Sequence, residues 1–182
     1  RAPAVAGGGM GPAVPMIYMP HLARRRLQGP PTRPIYEPVG KDDSYFPTPV
    51  YDAMALAYGH PQAGEVVWPE MQDALALSGL EGVLSLPVSS NRMSESGVAY
   101  TGAVLQFTAD GPYDAHAIYS HRDDVKRQYG CFWDSFMKTG EAVIVAPSTD
   151  WAAPCPLPRD PRNNPKHNRA NGFTSVAHRI CR

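Results

Sequence analysis

The most regular alternation of apolar and polar positions runs over residues 98–108, where odd-numbered and even-numbered side chains fall on opposite faces. This period of two predicts a strand. Three further strands are predicted over 50–58, which is rich in Ala, over 82–88 and over 141–146. Pro87 indicates an edge or bulge position in the second of these strands, because proline cannot donate to a sheet ladder.

Helical spacing separates these strands. One helix is predicted to begin at 68–70, where Pro69 suits the first helical turn and Glu70 complements the helix dipole, and to end at Gly79. A short helix is predicted over 114–121 and a longer one over 123–139. The expected core stripe of the longer helix consists of Val125, Tyr129, Phe132 and Phe136.

The order strand, helix, strand, strand, helix, strand is the split βαβ of a ferredoxin-like fold, so we expect an α+β domain over 50–150. Ten of the 20 prolines lie in residues 1–49 and five lie in 153–182. Because proline fixes φ and lacks an N–H, these regions are predicted to be long extended arms, over 1–49 and 151–182.

Short motifs within 50–150 resemble those of the stress-responsive dimeric α/β-barrel (Dabb) domain family. They are Gly-Val-Leu-Ser at 82–85, Ala-Tyr-Thr at 99–101, Ile-Tyr-Ser-His at 118–121 and Val-Ile-Val at 143–145. The resemblance implies a ferredoxin-like unit whose open sheet face pairs with a second copy to close a barrel. A homodimer is therefore one expected assembly.

Some similar proteins are polyketide cyclases that use several histidines, and this chain departs from their pattern. Gly102 stands at one histidine position, Asp124 at another, and the first-strand position falls near Asp52. Imidazole exchanges protons near neutral pH, whereas an exposed carboxylate is already ionised, so the resemblance implies that cyclase chemistry is lost. If the chain is an enzyme, His121, Tyr119 and Asp124 are its predicted catalytic residues.

No metal or cofactor site is predicted. His116 and His121 lie five residues apart near several Asp residues, but positions i and i+5 do not share a helix face well. The glycines at 7–11 follow no strand, so they do not form a phosphate-binding loop. No Gly-x-Ser-x-Gly elbow is present.

Net charge, apolar run length and cysteine spacing argue against several classes of protein. The 17 basic and 17 acidic residues give a net charge of +0, which argues against a protein built to coat nucleic acid. No run approaches the ~18 apolar residues of a membrane-spanning helix. The cysteines at 131, 155 and 181 lack metal-site spacing and favour free thiols in a reducing compartment, with a Cys155–Cys181 pair as the alternative.

The arms carry the functional prediction, because their apolar clusters are unusual for a flexible linker and are typical of anchors that dock on another surface. The predicted partner-contacting residues are Tyr18, Arg24, Arg25, Tyr36, Tyr45, Phe46 and Phe173. The basic stretch 21–26 is either a solvated charge cluster or a contact with an acidic partner or lipid headgroups.

We therefore expect a non-catalytic accessory subunit of a large multi-subunit complex, with other protein subunits as partners and no nucleic acid. The chain begins at Arg1, which suits a processed organelle import product. A position peripheral to a membrane complex such as a photosystem follows, with the chloroplast favoured over the mitochondrion. The alternatives are a small Dabb-type, cyclase-like enzyme and a soluble stress-related homodimer.

Overall fold

A computed structural model of the chain describes residues 15–27 and 31–158. The helices are α1 Pro15–Tyr18, α2 Thr48–Tyr58, α3 Glu70–Ala76, α4 Ile118–His121 and α5 Asp123–Thr139, with 3-10 helices at Met19–His21 and Ala115–Ala117. The strands are β1 Ile35–Gly40, β2 Gln62–Ala63, β3 Val83–Leu84, β4 Arg92–Met93, β5 Ala99–Tyr100 and β6 Gly102–Phe107.

The main sheet has the strand order β1-β6-β2-β3, and its neighbouring strands are parallel. In the longest pair, Ile35 lies opposite Gly102 and Gly40 opposite Phe107. Strands β4 and β5 form a separate antiparallel pair. The structure is thus of the mixed α+β class that was predicted, but a ferredoxin-like fold is not confirmed and no barrel is closed within the described residues.

Helices cover both faces of the sheet, and β6 is buried along its whole length. Val104 packs in a core with residues of α2 and α3, whereas Leu105 packs in a second core with residues of α5. The strand predicted over 98–108 is divided, because Ala99–Tyr100 forms β5 in the separate antiparallel pair. The predicted alternation between two faces is confirmed over β6 only. The apolar faces of helices cover both sides of β6, and β6 accordingly carries almost no polar side chains, as is usual in parallel sheets.

The predicted strand at 50–58 is wrong, because this segment lies in helix α2. Its alanines are strong helix formers, and Pro49 is tolerated in the first turn. Gly59 ends the helix in a left-handed conformation with φ 74°. Tyr51 and Ala55, four residues apart, are the side chains that α2 buries in the core.

Two other predicted strands are shorter than expected. Only Val83–Leu84 of 82–88 is a strand, and 141–146 forms a single antiparallel bridge between Ile144 and Val88. Strand β4 has no counterpart among the predicted elements. The helices predicted at 68–78, 114–121 and 123–139 are confirmed in position.

The predicted N-terminal arm contributes to the domain. Strand β1 lies within 1–49, and Met19 and Ala23 are buried. The Ile35 amide donates to the Thr101 carbonyl just before β6, and the Lys41 amide donates to the Phe107 carbonyl at the end of β6. By alternation, Pro38 faces the open edge of the sheet, where a missing N–H costs no ladder bond. Proline density therefore did not distinguish a free arm from an edge strand. Most of the predicted C-terminal arm, 159–182, lies outside the described residues.

A disulfide joins Cys131 on α5 to Cys155, and the prediction of free thiols is wrong for these two residues. Cys131 packs with Val143 and Val145, which brings the segment after α5 beneath the helix. The Arg127 guanidinium also donates to the Ala153 carbonyl at 3.1 Å. Cysteine spacing gave no sign of this pairing, because it depends on how the chain returns past α5. Position 181 lies outside the described residues.

Candidate functional site

An open crevice of about 630 Å³ lies at the carboxyl edge of the parallel sheet. The loops that follow β1, β2 and β6 form it together with the start of α5. In open parallel sheets this edge is the usual place for ligand binding. The crevice is lined by Lys41, Ala63, Gly64, Glu65, Val66, Val67, Leu105, Gln106, Phe107, Thr108, Arg122, Asp124 and Pro147.

Two buried glutamines fix the loop that follows β2. The Gln106 side-chain oxygen accepts from the amides of Val67 at 2.7 Å and Trp68 at 3.0 Å. The Gln62 side-chain amide donates to the Glu65 carbonyl at 2.9 Å. The Gly64 amide also donates to the Leu84 carbonyl at 3.1 Å, so the loop backbone is held on both sides of the position from which the Glu65 side chain extends.

Arg122 and Asp124, at the entrance to α5, form a bidentate ion pair. Arg122 Nη2 lies 2.6 Å from Asp124 Oδ2, and Arg122 Nε lies 3.0 Å from Asp124 Oδ1. The remaining Arg122 nitrogen donates to the Thr108 carbonyl at 2.7 Å, and the guanidinium lies 5.1 Å from the centre of the Phe107 ring. Hydrogen bonding from Arg122 lowers the pKa of Asp124.

A second group of polar side chains lies in the loop after β1, around the buried carboxylate of Asp43. Asp43 accepts hydrogen bonds from the Tyr45 amide at 2.7 Å, the Phe46 amide at 3.0 Å and the Tyr51 hydroxyl. His116 Nδ1 lies 2.9 Å from Asp43 Oδ2. Burial raises the pKa of Asp43, but the hydrogen bonds outweigh burial and leave this pKa below its usual value.

His116 is oriented by this carboxylate and flanked by aromatic rings. Its ring centre lies 4.6 Å from that of Tyr45 and 5.5 Å from that of Phe46. The imidazole is 37% exposed, whereas the Asp43 side chain is 0% exposed. A buried carboxylate on one ring nitrogen, with the imidazole partly open to solvent, is an arrangement that can support proton transfer.

Glu37 and His60 form a contrasting buried pair beneath α2. Glu37 Oε2 lies 3.5 Å from His60 Nδ1, and neither side chain satisfies hydrogen-bond geometry. Burial raises the pKa of Glu37, partly offset by His60. A Cβ at Gly102 would lie 2.7 Å from His60 Nε2, so glycine is needed there for packing.

The outer face of α5 exposes an apolar stripe, made of Tyr129, Trp133 and Met137, that we call the α5 surface. These side chains are spaced four residues apart and are 39%, 56% and 78% exposed. A groove of about 310 Å³ runs between this stripe and edge strand β1. The groove is lined by Pro34, Ile35, Tyr36, Pro38, Tyr129, Phe132 and Trp133.

The structure does not bring the three predicted catalytic residues together in the crevice. Asp124 lines it but is paired with Arg122. Tyr119 is 53% exposed on α4 and does not line the crevice. His121 is also exposed and stacks on the Tyr113 ring at 4.4 Å.

The predicted partner-contacting residues of the N-terminal region occupy different environments. Tyr18 is 48% exposed on α1. Arg25 pairs with Glu95 at 2.7 Å on the surface. The Arg24 side chain packs so closely against Gly59 that a Cβ there would lie 2.9 Å from it.

The remaining predicted contact residues also differ in exposure and in their contacts within the chain. Tyr36 donates to the Gln128 side chain at 2.8 Å and also lines the groove beside the α5 surface. Tyr45 is 71% exposed and Phe46 is 42% exposed, both beside His116. Phe173 lies outside the described residues.

Sequence reasoning missed the crevice residues Lys41 and Glu65, because their convergence depends on a strand order that the sequence did not indicate. It assigned Tyr129 to the core stripe of the longer helix. The four-residue spacing of Tyr129, Trp133 and Met137 was a readable signal, since it places three large apolar side chains on one helix face.

Comparisons of the chain with protein-family models, curated proteins and solved structures found no match. The Dabb resemblance therefore stays a prediction. Within residues 15–27 and 31–158, no group of three or more His, Cys, Asp or Glu side chains is arranged to hold a metal ion. No helix in the same ranges has the length and apolar character needed to cross a bilayer.

Proposed function

We propose that the protein is a non-catalytic accessory subunit that binds another polypeptide of a larger assembly through the α5 surface. The observation that carries this proposal is the exposure of Tyr129, Trp133 and Met137 on one helix face beside an apolar groove. Aromatic and Met side chains are enriched where proteins bind one another. A contiguous apolar surface of this kind is typical of interaction sites.

Charge around the α5 surface indicates what kind of partner fits. Lys138 pairs with Asp134 at 2.8 Å, and Lys126 pairs with Asp123 at 2.8 Å, so these neighbouring charges along α5 neutralise each other. The surface itself then offers mainly apolar area, with the Tyr129 hydroxyl and the Trp133 indole N–H as its polar groups. We therefore expect the partner to present an apolar pocket or helix face that receives Trp133, rather than a strongly charged surface.

The cellular setting belongs to the same proposal. An organellar complex, peripheral to a membrane assembly such as a photosystem, remains our proposed location. The Cys131–Cys155 disulfide adds a constraint, because disulfides persist mainly in oxidising compartments. Within an organelle this constraint favours a compartment that allows disulfide formation.

The test compares native particle sizes of tagged chains expressed in the source cells. The wild-type chain should sediment in a particle much larger than its own 19.8 kDa, and Trp133→Glu should sediment as a free chain. Tyr119→Glu, which alters an exposed aromatic residue on α4, is the matched control and should behave as wild type. A wild-type particle of twice the chain mass containing only this chain would favour the homodimer, and a monomer would contradict both.

A second candidate function is proton-transfer catalysis, which the His116–Asp43 pair favours. The Asp43 carboxylate fixes the His116 ring in place and the imidazole stays partly open to solvent. In this candidate His116 replaces the predicted His121. His116→Asn keeps a side chain able to bond to Asp43, so ester or phosphoester hydrolysis that falls about 100-fold in this folded variant would support catalysis. Unchanged hydrolysis would exclude a role for His116.

A further inference from the structure

We propose that the crevice at the carboxyl edge of the sheet binds a small zwitterion of the amino-acid class, with Lys41 contacting its carboxylate and Glu65 its ammonium group. The starting observation is the balance of charges in the crevice. Four charged side chains line it, and two of them, Arg122 and Asp124, are engaged with each other. Across residues 15–27 and 31–158, no ion pair involves either Lys41 or Glu65.

The uncharged polar groups of the crevice are largely used by the protein. Gln106 bonds to the backbone of Val67 and Trp68, and the Thr108 carbonyl accepts from Arg122. One ammonium group and one carboxylate group therefore remain to select a ligand. A ligand with one carboxylate and one ammonium group complements both charges, whereas a singly charged ligand satisfies only one.

The two residues extend from opposite sides of the crevice floor. Lys41 directly follows β1, Glu65 comes two residues after β2, and β6 lies between these strands. Neighbouring strands are about 4.8 Å apart, so the two backbones are separated by roughly 10 Å. This backbone spacing is of the order of the length of an amino acid, which suits a single ligand that contacts both side chains.

Both positions have a fixed backbone. The Lys41 amide donates to the Phe107 carbonyl at 2.8 Å, and the Glu65 carbonyl accepts from Gln62 at 2.9 Å. A preorganised site loses less conformational entropy when it binds a small ligand. Leu105 and Phe107 add apolar lining, which suits an apolar amino-acid side chain.

Inorganic phosphate and simple amines fit the crevice less well. The carboxylates of Glu65 and Asp124 disfavour a dianion, and the Lys41 ammonium disfavours a lone cation. These two classes serve as outcomes of the test. The crevice and the groove beside the α5 surface share no lining residue, so Trp133→Glu should retain ligand binding.

The experiment uses three probes that share one apolar group: L-phenylalanine, 3-phenylpropionate and 2-phenylethylamine. Calorimetry on the full chain at pH 7 should show phenylalanine binding about tenfold or more tighter than either singly charged probe. Lys41→Met should weaken phenylalanine about tenfold and leave 2-phenylethylamine no weaker. Glu65→Gln should weaken phenylalanine similarly and leave 3-phenylpropionate no weaker. Lys138→Met, at the far end of α5, is the matched control and should bind as wild type.

Amide spectra of each variant verify that it is folded, and shifts at Gly64 and Glu65 locate the bound probe. Absence of saturable phenylalanine binding to the folded wild-type chain would overturn the proposal. Equal affinity for all three probes would also overturn it, because the binding would then be apolar only. Tighter binding of inorganic phosphate than of phenylalanine would overturn it in favour of a phosphate site.

Discussion

Helix α5 carries two regions of opposite chemistry, one at its start that is mostly covered and one further along that is exposed. At its start, Arg122 and Asp124 border the crevice as a bidentate pair whose polar atoms are mostly engaged within the protein. Further along, Tyr129, Trp133 and Met137 expose apolar area to solvent. The polar groups of the first region are bonded within the protein, whereas the apolar side chains of the second region remain exposed to water.

This difference separates groups that stabilise the fold from groups available to a partner. An ion pair that is already formed gains little from a new neighbour, and breaking it costs stability. An exposed indole gains free energy when a partner removes it from water, at roughly 25 cal/mol per Å² of apolar surface. Changes at the start of α5 should therefore alter stability, and changes on the α5 surface should alter assembly.

The largest expected effect on stability concerns the buried side of the same helix, at Cys131. The disulfide to Cys155 spans a sequence separation of 24 residues. A cross-link of this span contributes about 3 kcal/mol to the free energy of unfolding. Urea denaturation with and without dithiothreitol should show this loss for wild type, and Cys155→Ser should show no response to the reductant. Equal wild-type stability under both conditions would mean that these cysteines are not paired.

On the α5 surface, Trp133→Ala should reduce affinity for the assembly about 30-fold or more, because buried Trp residues dominate many interfaces. The melting temperature should change little, since the side chain is 56% exposed in the isolated chain. Competition of variant against wild type in reconstituted assembly measures the affinity. A large drop in melting temperature with unchanged assembly would show that Trp133 stabilises the fold rather than binding a partner.

At the start of α5, Arg122→Gln should lower the free energy of unfolding by about 2 kcal/mol at pH 7 and leave assembly unchanged. Arg122 lowers the pKa of Asp124, so the stability from this pair is present above the ordinary Asp pKa and is lost as pH falls through the folded-state value. The difference between variant and wild type should therefore shrink below about pH 4. A difference that stays constant with pH would assign the effect to packing on Phe107.

The smallest expected effect concerns Glu37, a buried carboxylate without good hydrogen bonds. Burial raises its pKa, so its contribution to stability is greatest below the ordinary Glu pKa and declines as pH rises through the folded-state value. Glu37→Gln removes this decline, and stability relative to wild type should increase by on the order of 1 kcal/mol between pH 4 and pH 8. A relative decrease would show that the ionised Glu37–His60 pair stabilises the fold.

The sequence predicted features that depend on local spacing. The alternation over 102–107 and the helix starts at 70 and 123 all depend on neighbouring residues. The strand prediction for 50–58 was wrong because Val50 and Tyr51 are typical of strands. The alanines of this segment favour a helix, which buries Tyr51 and Ala55 against the sheet.

The sequence did not predict features that depend on strand order. Strand β6 inserts between β1 and β2, and only this insertion brings Lys41 and Glu65 to one crevice. The same holds for Asp43 with His116, which are 73 residues apart in sequence. Pattern and spacing carry no information on such contacts. The predicted catalytic residues were chosen from the family resemblance, and they do not include Asp43 or His116.

Oxidative footprinting with mass spectrometry tests the central claim most directly, because it measures the exposure of individual side chains in the isolated chain and in the native assembly. We expect labelling of Tyr129, Trp133 and Met137 to fall several-fold on assembly, while labelling of Tyr119 stays constant. Equal labelling of Trp133 in both states would contradict binding through the α5 surface.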